Sequence, residues 1–133
     1  MKKLLFLFVI AVLVYGLIQE RVTSVSAIQD AYNNRQSAVQ VQGQGTVTVI
    51  LPDDIDGSRH QRFILKLDTG QTLLIAHNID LAPRVTQLDK GDTVEFFGEY
   101  EWNTKGGVVH WTHHDPNGSH IGGWLKHRGR TYD

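Results

Sequence analysis

No cysteine occurs among the 133 residues. That absence excludes a disulfide scaffold, a thiol nucleophile and a thiolate metal site, so any nucleophile or metal ligand must offer oxygen or nitrogen. An excess of one charge is also missing, since 13 Lys and Arg stand against 14 Asp and Glu. The sequence has no Gly-x-Ser-x-Gly elbow, no phosphate-binding loop and no Gly-x-Gly-x-x-Gly run, which leaves the familiar hydrolases, nucleotide triphosphatases and dinucleotide enzymes without support. Internal repeats and low-complexity tracts are absent too. The length fits one domain at most.

What apolar content there is lies unevenly. Met1-Lys2-Lys3 precedes an unbroken apolar stretch from Leu4 to Ile18, followed by Gln19-Glu20-Arg21, and this is the layout of an export signal. The stretch covers about 22 Å of helix, short of the roughly 30 Å hydrocarbon core of a bilayer. Residues 1–27 therefore read as a signal peptide, with Val25-Ser26-Ala27 as the peptidase site and Ile28 as the first mature residue. The long spacing between the apolar run and that cut keeps a retained membrane anchor as the alternative. Either way Lys2 and Lys3 stay in the cytoplasm and the domain goes out: periplasmic, secreted, or anchored to the inner membrane facing outward, with residues 4–18 as the membrane contact. Without residues 1–27 the chain keeps 10 basic and 13 acidic residues, which disfavours a globally basic nucleic-acid binder.

Residues 28–38 are polar and lack alternation, so they read as a tether or short leading helix, with the domain over 39–133. From Val39 the hydrophobic period is two, the mark of half-buried strands. A first long strand runs to Leu51, with Gly43 and Gly45 permitting a bend. After a Pro-Asp-Gly turn cluster, His60 to Asp68 alternates again, and Thr69-Gly70 closes a hairpin into Gln71 to Asn78. A short helical turn is expected after Pro83. Thr93 to Trp102 sets Val94, Phe96, Tyr100 and Trp102 opposite Glu95, Phe97, Glu99 and Glu101, and Val108 to His114 is the last strong strand. This order predicts an all-β domain, a small five-stranded Greek-key barrel of the oligonucleotide/oligosaccharide-binding (OB) type with one short helix.

The chemistry concentrates near the end, where four of the seven His fall between positions 110 and 120. On one strand His110 and His114 lie about 13 Å apart, too far to share an ion, because Zn–N bonds are only about 2.0–2.1 Å. A turn at Asp115-Pro116-Asn117-Gly118 changes that by pairing His114 with His120 across a hairpin. One hairpin face then carries His110, Thr112, His114, His120 and Trp124, and the other carries Trp111, His113, Ile121 and Leu125 as core. His110, His114 and His120 are accordingly the candidate ligands for a divalent transition metal such as Zn2+. The competing account is a solvated hairpin whose imidazoles pair with one another and with backbone.

Other polar groups carry weaker signals. Asn78 and Asp80 suit a cap beside His77. Asp53, Asp54 and Asp56 fail the register of a calcium loop. Glu95, Glu99 and Glu101 form a carboxylate stripe of the kind that keeps a strand soluble. Lys126, His127, Arg128 and Arg130 lie close to Trp124 and Tyr132, a mixture suited to stacking on bases or sugars beside cations. His110, Trp124, Arg128, Arg130 and Tyr132 are therefore the candidate ligand-binding residues, with nucleic acid or glycan as the partner.

His60-Gln61-Arg62-Phe63, His77 to Pro83, Gly98-Glu99-Tyr100-Glu101-Trp102, Gly107 to Pro116, and Gly123-Trp124 with Gly129 and Tyr132 occur in this order. Together they resemble a bacterial exported family known as domain of unknown function 3465. The resemblance spans about residues 39–132. It implies a small secreted or periplasmic domain and carries no catalytic assignment. Three function classes remain open: a non-enzymatic barrel module that binds a polymer or oligomer, a metal-dependent hydrolase or nuclease built on the His-rich hairpin, and an envelope protein-interaction module. Whichever holds, imidazoles with an ordinary pKa near 6.5 make pH dependence an expectation.

Overall fold

In the computed structural model, which describes residues 2–133, one long helix leads into a domain made mostly of sheet. Met1 and the side chains of residues 19–25 lie outside the described residues; Glu20, Arg21 and Val25 of the expected signal and its cut fall among these. Helix α1 spans Lys2–Asn33. Its first half is apolar all round and uncovered, with Leu4 75% and Phe8 67% exposed. Among the described residues no helix is long and apolar enough to cross a membrane.

The last turns of α1 behave differently. Residues 28–33, within the segment expected to be a tether or a short leading helix, are helical, and Ile28 and Ala31 are buried in the core. A methyl group on Gly43 would stand 2.9 Å from the Phe96 ring and 3.1 Å from Ile28 Cδ1, so this glycine leaves the room in which the helix end docks. Trp102 fastens the same junction, its indole N–H donating to Tyr32 O at 3.1 Å and its backbone N–H to Ser37 Oγ at 3.0 Å. The polar composition of this segment concealed its two buried anchors, Ile28 and Ala31, which sit three residues apart on one helix face.

Seven strands follow, two more than expected: β1 (Val39–Asp54), β2 (His60–Lys66), β3 (Thr72–Asn78), β4 (Thr93–Glu101), β5 (Val108–His110), β6 (Trp124–His127) and β7 (Arg130–Tyr132). β1 pairs with β4 through residues 39–46 and with β2 from Thr46 onward, with register shifts after Val47 and Leu51. Pairing runs β1-β2-β3-β5-β4 and returns to β1, while β6 and β7 extend the sheet beyond β4. The closure is thin, because parallel β3 and β5 share two residue pairs, Leu74 with Val108 and Ile75 with Val109. The sheet is therefore not a clean barrel.

Alternation on the strands sets the core. Val94, Phe96 and Tyr100 of β4 are fully buried with Phe63, Leu65, Leu73, Ile75, Val109 and Leu125, a set large enough for its transfer from water to dominate stability. No helix forms after Pro83. Both backbone groups of Val85 are instead bound by one side chain, Gln61, whose Nε2 donates to Val85 O at 3.0 Å and whose Oε1 accepts from Val85 N at 2.9 Å. With those groups taken and Gln87 at φ 53°, a helical hydrogen-bond ladder cannot propagate.

The expected His-rich hairpin is also absent. β5 stops at His110 because Trp111 adopts φ 53°, a left-handed conformation that reverses the chain and breaks the two-residue period. Residues 111–123 form an irregular loop, closed by a hydrogen bond from Gly123 N to His113 O at 2.9 Å. The C-terminal hairpin is β6–β7, turning at Arg128-Gly129.

An imidazole and carboxylate cluster on the outer sheet face

The sheet registers bring residues from three strands into rows on the outer face. Glu99 of β4 lies opposite Gln40 of β1 and His110 of β5. One step along, Phe97 lies opposite Gln42 of β1 and Trp124 of β6, with the Phe97 and Trp124 ring centres 6.0 Å apart. Lys126, the next outward residue of β6, holds its ammonium 4.6 Å from the centre of the Trp124 ring.

The loop after β5 adds a second imidazole to this face. Asp115 organises it: one carboxylate oxygen accepts from Asn117 N, the other from Ser119 N, Ser119 Oγ and His120 N, at 2.8–3.0 Å. These donors hold the Asp115 carboxyl below the usual carboxylate range, the Asn117 amide foremost. The loop thereby delivers His120 onto Trp111, the two rings stacked at 4.0 Å and 9°. Close approach of β5 and the start of this loop requires Gly98, where a Cβ would meet His110 O at 2.4 Å and Thr112 Cγ2 at 3.0 Å.

Glu99 is the hub. Its Oε2 lies 3.2 Å from His110 Nε2 and 3.3 Å from His120 Nε2, while Glu101 Oε1 lies 3.5 Å from the same His110 nitrogen. Glu99, Glu101 and His110 each offer one ligand atom, all within 4.8 Å of one another. The other ring nitrogen of His120 bonds Ile121 O at 2.8 Å. That carbonyl, with Glu99 beside it, raises the His120 pKa above the ordinary imidazole value. His110 Nε2 is buried and close to two carboxylates, yet it lies in line with neither for a hydrogen bond.

The remaining candidates scatter. His114 points into solvent, and the expected pairing of His114 with His120 is replaced by the Asp115-centred loop. Thr112 and His113, placed on opposite hairpin faces by a two-residue period, are both buried, while Ile121, expected in the core, is 58% exposed. Both departures follow from the turn at Trp111. Tyr132 is 2% exposed, and its hydroxyl accepts from Thr86 N at 3.3 Å and shares a hydrogen bond with Thr86 Oγ1 at 3.0 Å, so it belongs to the core and not to a stacking surface. Arg130 packs over Tyr132 at 4.8 Å, on the side of the β6–β7 hairpin away from Trp124. Arg128 reaches Asp89 and Asp92 at 3.4 and 3.3 Å, and His127 also bonds Asp92, at 2.8 Å. Of the ligand-binding candidates, His110 and Trp124 therefore share the outer face, and Arg128, Arg130 and Tyr132 do not join them.

Glu99 and Glu101 are the residues that sequence reasoning placed in a solubility stripe. The signal available for them was their two-residue spacing on β4, but their meeting with His110 depends on the β4–β5 register. A separate polar cleft of about 400 Å3 lies where α1 meets the loops around Gly70 and Lys105, away from the imidazoles. His77, on the inner side, is a satisfied core group: Nε2–H donates to Pro83 O at 2.9 Å and Nδ1 accepts from Thr112 Oγ1 at 2.7 Å. Burial lowers its pKa to about 4.

A mostly-β domain with a helical lead and an outward cluster of His and Glu side chains is the class that the fold and site define. Residues 9–133 match the model of a protein family of unknown function, DUF3465, and the chain belongs to that family. No curated protein matches it.

Proposed function

We propose that this protein is an exported binding module of the OB type that recognises a neutral glycan outside the cytoplasm. The strand order β1-β2-β3-β5-β4-β1, with β3 and β5 parallel, supports an OB-like barrel whose closure is incomplete. Export is supported by Lys2-Lys3 ahead of an apolar helix surface left uncovered over residues 4–18.

One observation carries the ligand class: the outward row Gln42–Phe97–Trp124 beside the row Gln40–Glu99–His110. Half-buried aromatic rings offer a flat apolar platform for a sugar ring, and the flanking amide, carboxylate and imidazole groups suit its hydroxyls. Glu95, Glu99 and Glu101 on the same face repel a phosphate backbone. The Arg128 cation is already matched by Asp89 and Asp92, and Arg130 lies on the other side.

The test is saturable binding by the full chain, in detergent, to a neutral β-linked N-acetylhexosamine oligomer and to a single-stranded oligonucleotide of similar length. The sugar should bind and the oligonucleotide should not, and Trp124→Ala should weaken sugar binding about tenfold, the equivalent of roughly 1.4 kcal/mol. Tighter binding of the oligonucleotide, or no affinity for the sugar, overturns the reading.

A further inference from the structure

The outer face contains an unexplained deficit. Among the described residues two buried side-chain polar atoms lack a hydrogen-bond partner, Gln40 Nε2 and His110 Nε2. Both belong to the single cross-strand row Gln40–Glu99–His110. Buried polar atoms without partners are uncommon; a cation would engage the His110 nitrogen, whereas the Gln40 amide nitrogen is a donor and no ligand.

The spacing of the donor atoms fits such a cation. A tetrahedral zinc ion with bonds of about 2.0–2.1 Å sets its ligand atoms about 3.3–3.4 Å apart along each edge. Two distances within the trio Glu99, Glu101 and His110, whose ligand atoms all lie within 4.8 Å of one another, match such edges: 3.2 Å from His110 Nε2 to Glu99 and 3.5 Å from His110 Nε2 to Glu101. His120 stands behind this trio, its Nε2 3.3 Å from Glu99 Oε2 and its other ring nitrogen bonded to a backbone carbonyl, so that it orients a ligand. Trp111 stacked on its face and the Asp115 bonds behind it hold the ring in place.

We propose that Glu99, Glu101 and His110 form a binding site for one Zn2+ ion, with His120 orienting Glu99 and the fourth position open to water. The donor set contains one imidazole nitrogen and two carboxylate oxygens, which fits zinc better than the all-oxygen cations Ca2+ and Mg2+. His114, a ligand in the hairpin expected from the sequence, has no part in it. The proposal stands on the donor geometry and does not depend on glycan recognition.

The experiment uses the full chain in detergent, purified without a polyhistidine tag, stripped with chelator and titrated with Zn2+ alone by calorimetry and elemental analysis. One Zn2+ per chain is expected. His110→Ala and Glu99→Gln should each weaken its affinity at least about 100-fold, and His114→Ala should leave it within about twofold. Should His110→Ala fail to fold, as judged by circular dichroism, Glu101→Gln tests the same site from a half-exposed ligand, and His120→Ala tests it through Glu99. Failure to bind stoichiometric Zn2+ overturns the proposal. So does uptake unaffected by the ligand variants, or displacement of Zn2+ by millimolar Ca2+. Sugar binding is measured separately, so the loss of one activity leaves the other legible.

Discussion

His77 and His110 stand near the ends of β3 and β5, which run side by side, yet they look to opposite sides of the sheet. On the inner side His77 has both ring nitrogens engaged, by Pro83 O and Thr112 Oγ1, and is fully buried. On the outer side His110 keeps a third of its side chain exposed and faces two carboxylates without an aligned bond. The same residue type is a closed structural part in one place and an imidazole with an unengaged ring nitrogen in the other. What separates them is the completeness of their hydrogen bonding, and a histidine-rich composition does not reveal that.

The largest test of this contrast is acid. The folded pKa of His77 is about 4 against an unfolded value near 6.5, so the unfolded chain binds the extra proton first. The stability contributed by this depressed pKa is full above about pH 6.5 and is lost as pH falls toward 4, on the order of 3 kcal/mol in total. Burial lowers the His113 pKa as well, and this adds a loss of the same sign. Urea denaturation at about pH 7.5 and 4.5 should show the drop. A flat profile would mean that the inner imidazole is not held neutral.

Next in size is Thr112→Val, which keeps the shape and removes the hydroxyl donor. It strands a buried His77 nitrogen and should cost about 1–3 kcal/mol at neutral pH. The smallest effect belongs to the outer side. His110→Ala, assayed free of metal, should change stability by less than about 1 kcal/mol, because it removes only a half-exposed, unaligned partner. If His110→Ala were as costly as Thr112→Val, the two imidazoles would be equivalent and the contrast would collapse.

Much of the sheet was legible in the sequence, because alternation and turn residues are local signals. β4 shows the expected opposition of Val94, Phe96 and Tyr100 to Glu95, Phe97, Glu99 and Glu101, and Thr69-Gly70 closes the β2–β3 hairpin with a bond from Gly70 N to Leu67 O. The cluster was only half legible. His110 and His120 stood out by their density, but a left-handed tryptophan at position 111 has no sequence signature, and without it the hairpin register places the wrong imidazole, His114, beside His120. Glu99 was hidden for another reason: it meets His110 through a pairing of strands and His120 through a loop fastened by Asp115. The short helix after Pro83 failed because a glutamine 24 residues away claimed the backbone of Val85.

The docked end of α1 bears on processing. A cut after Ala27 would make Ile28 the first residue, so a new ammonium group would arise one bond away from the carbon whose side chain plugs the space above Gly43. Trimming by one further residue would remove that plug and uncover Phe96. The packing of Ile28 thus sets a limit on where a cut at this junction would leave the core intact.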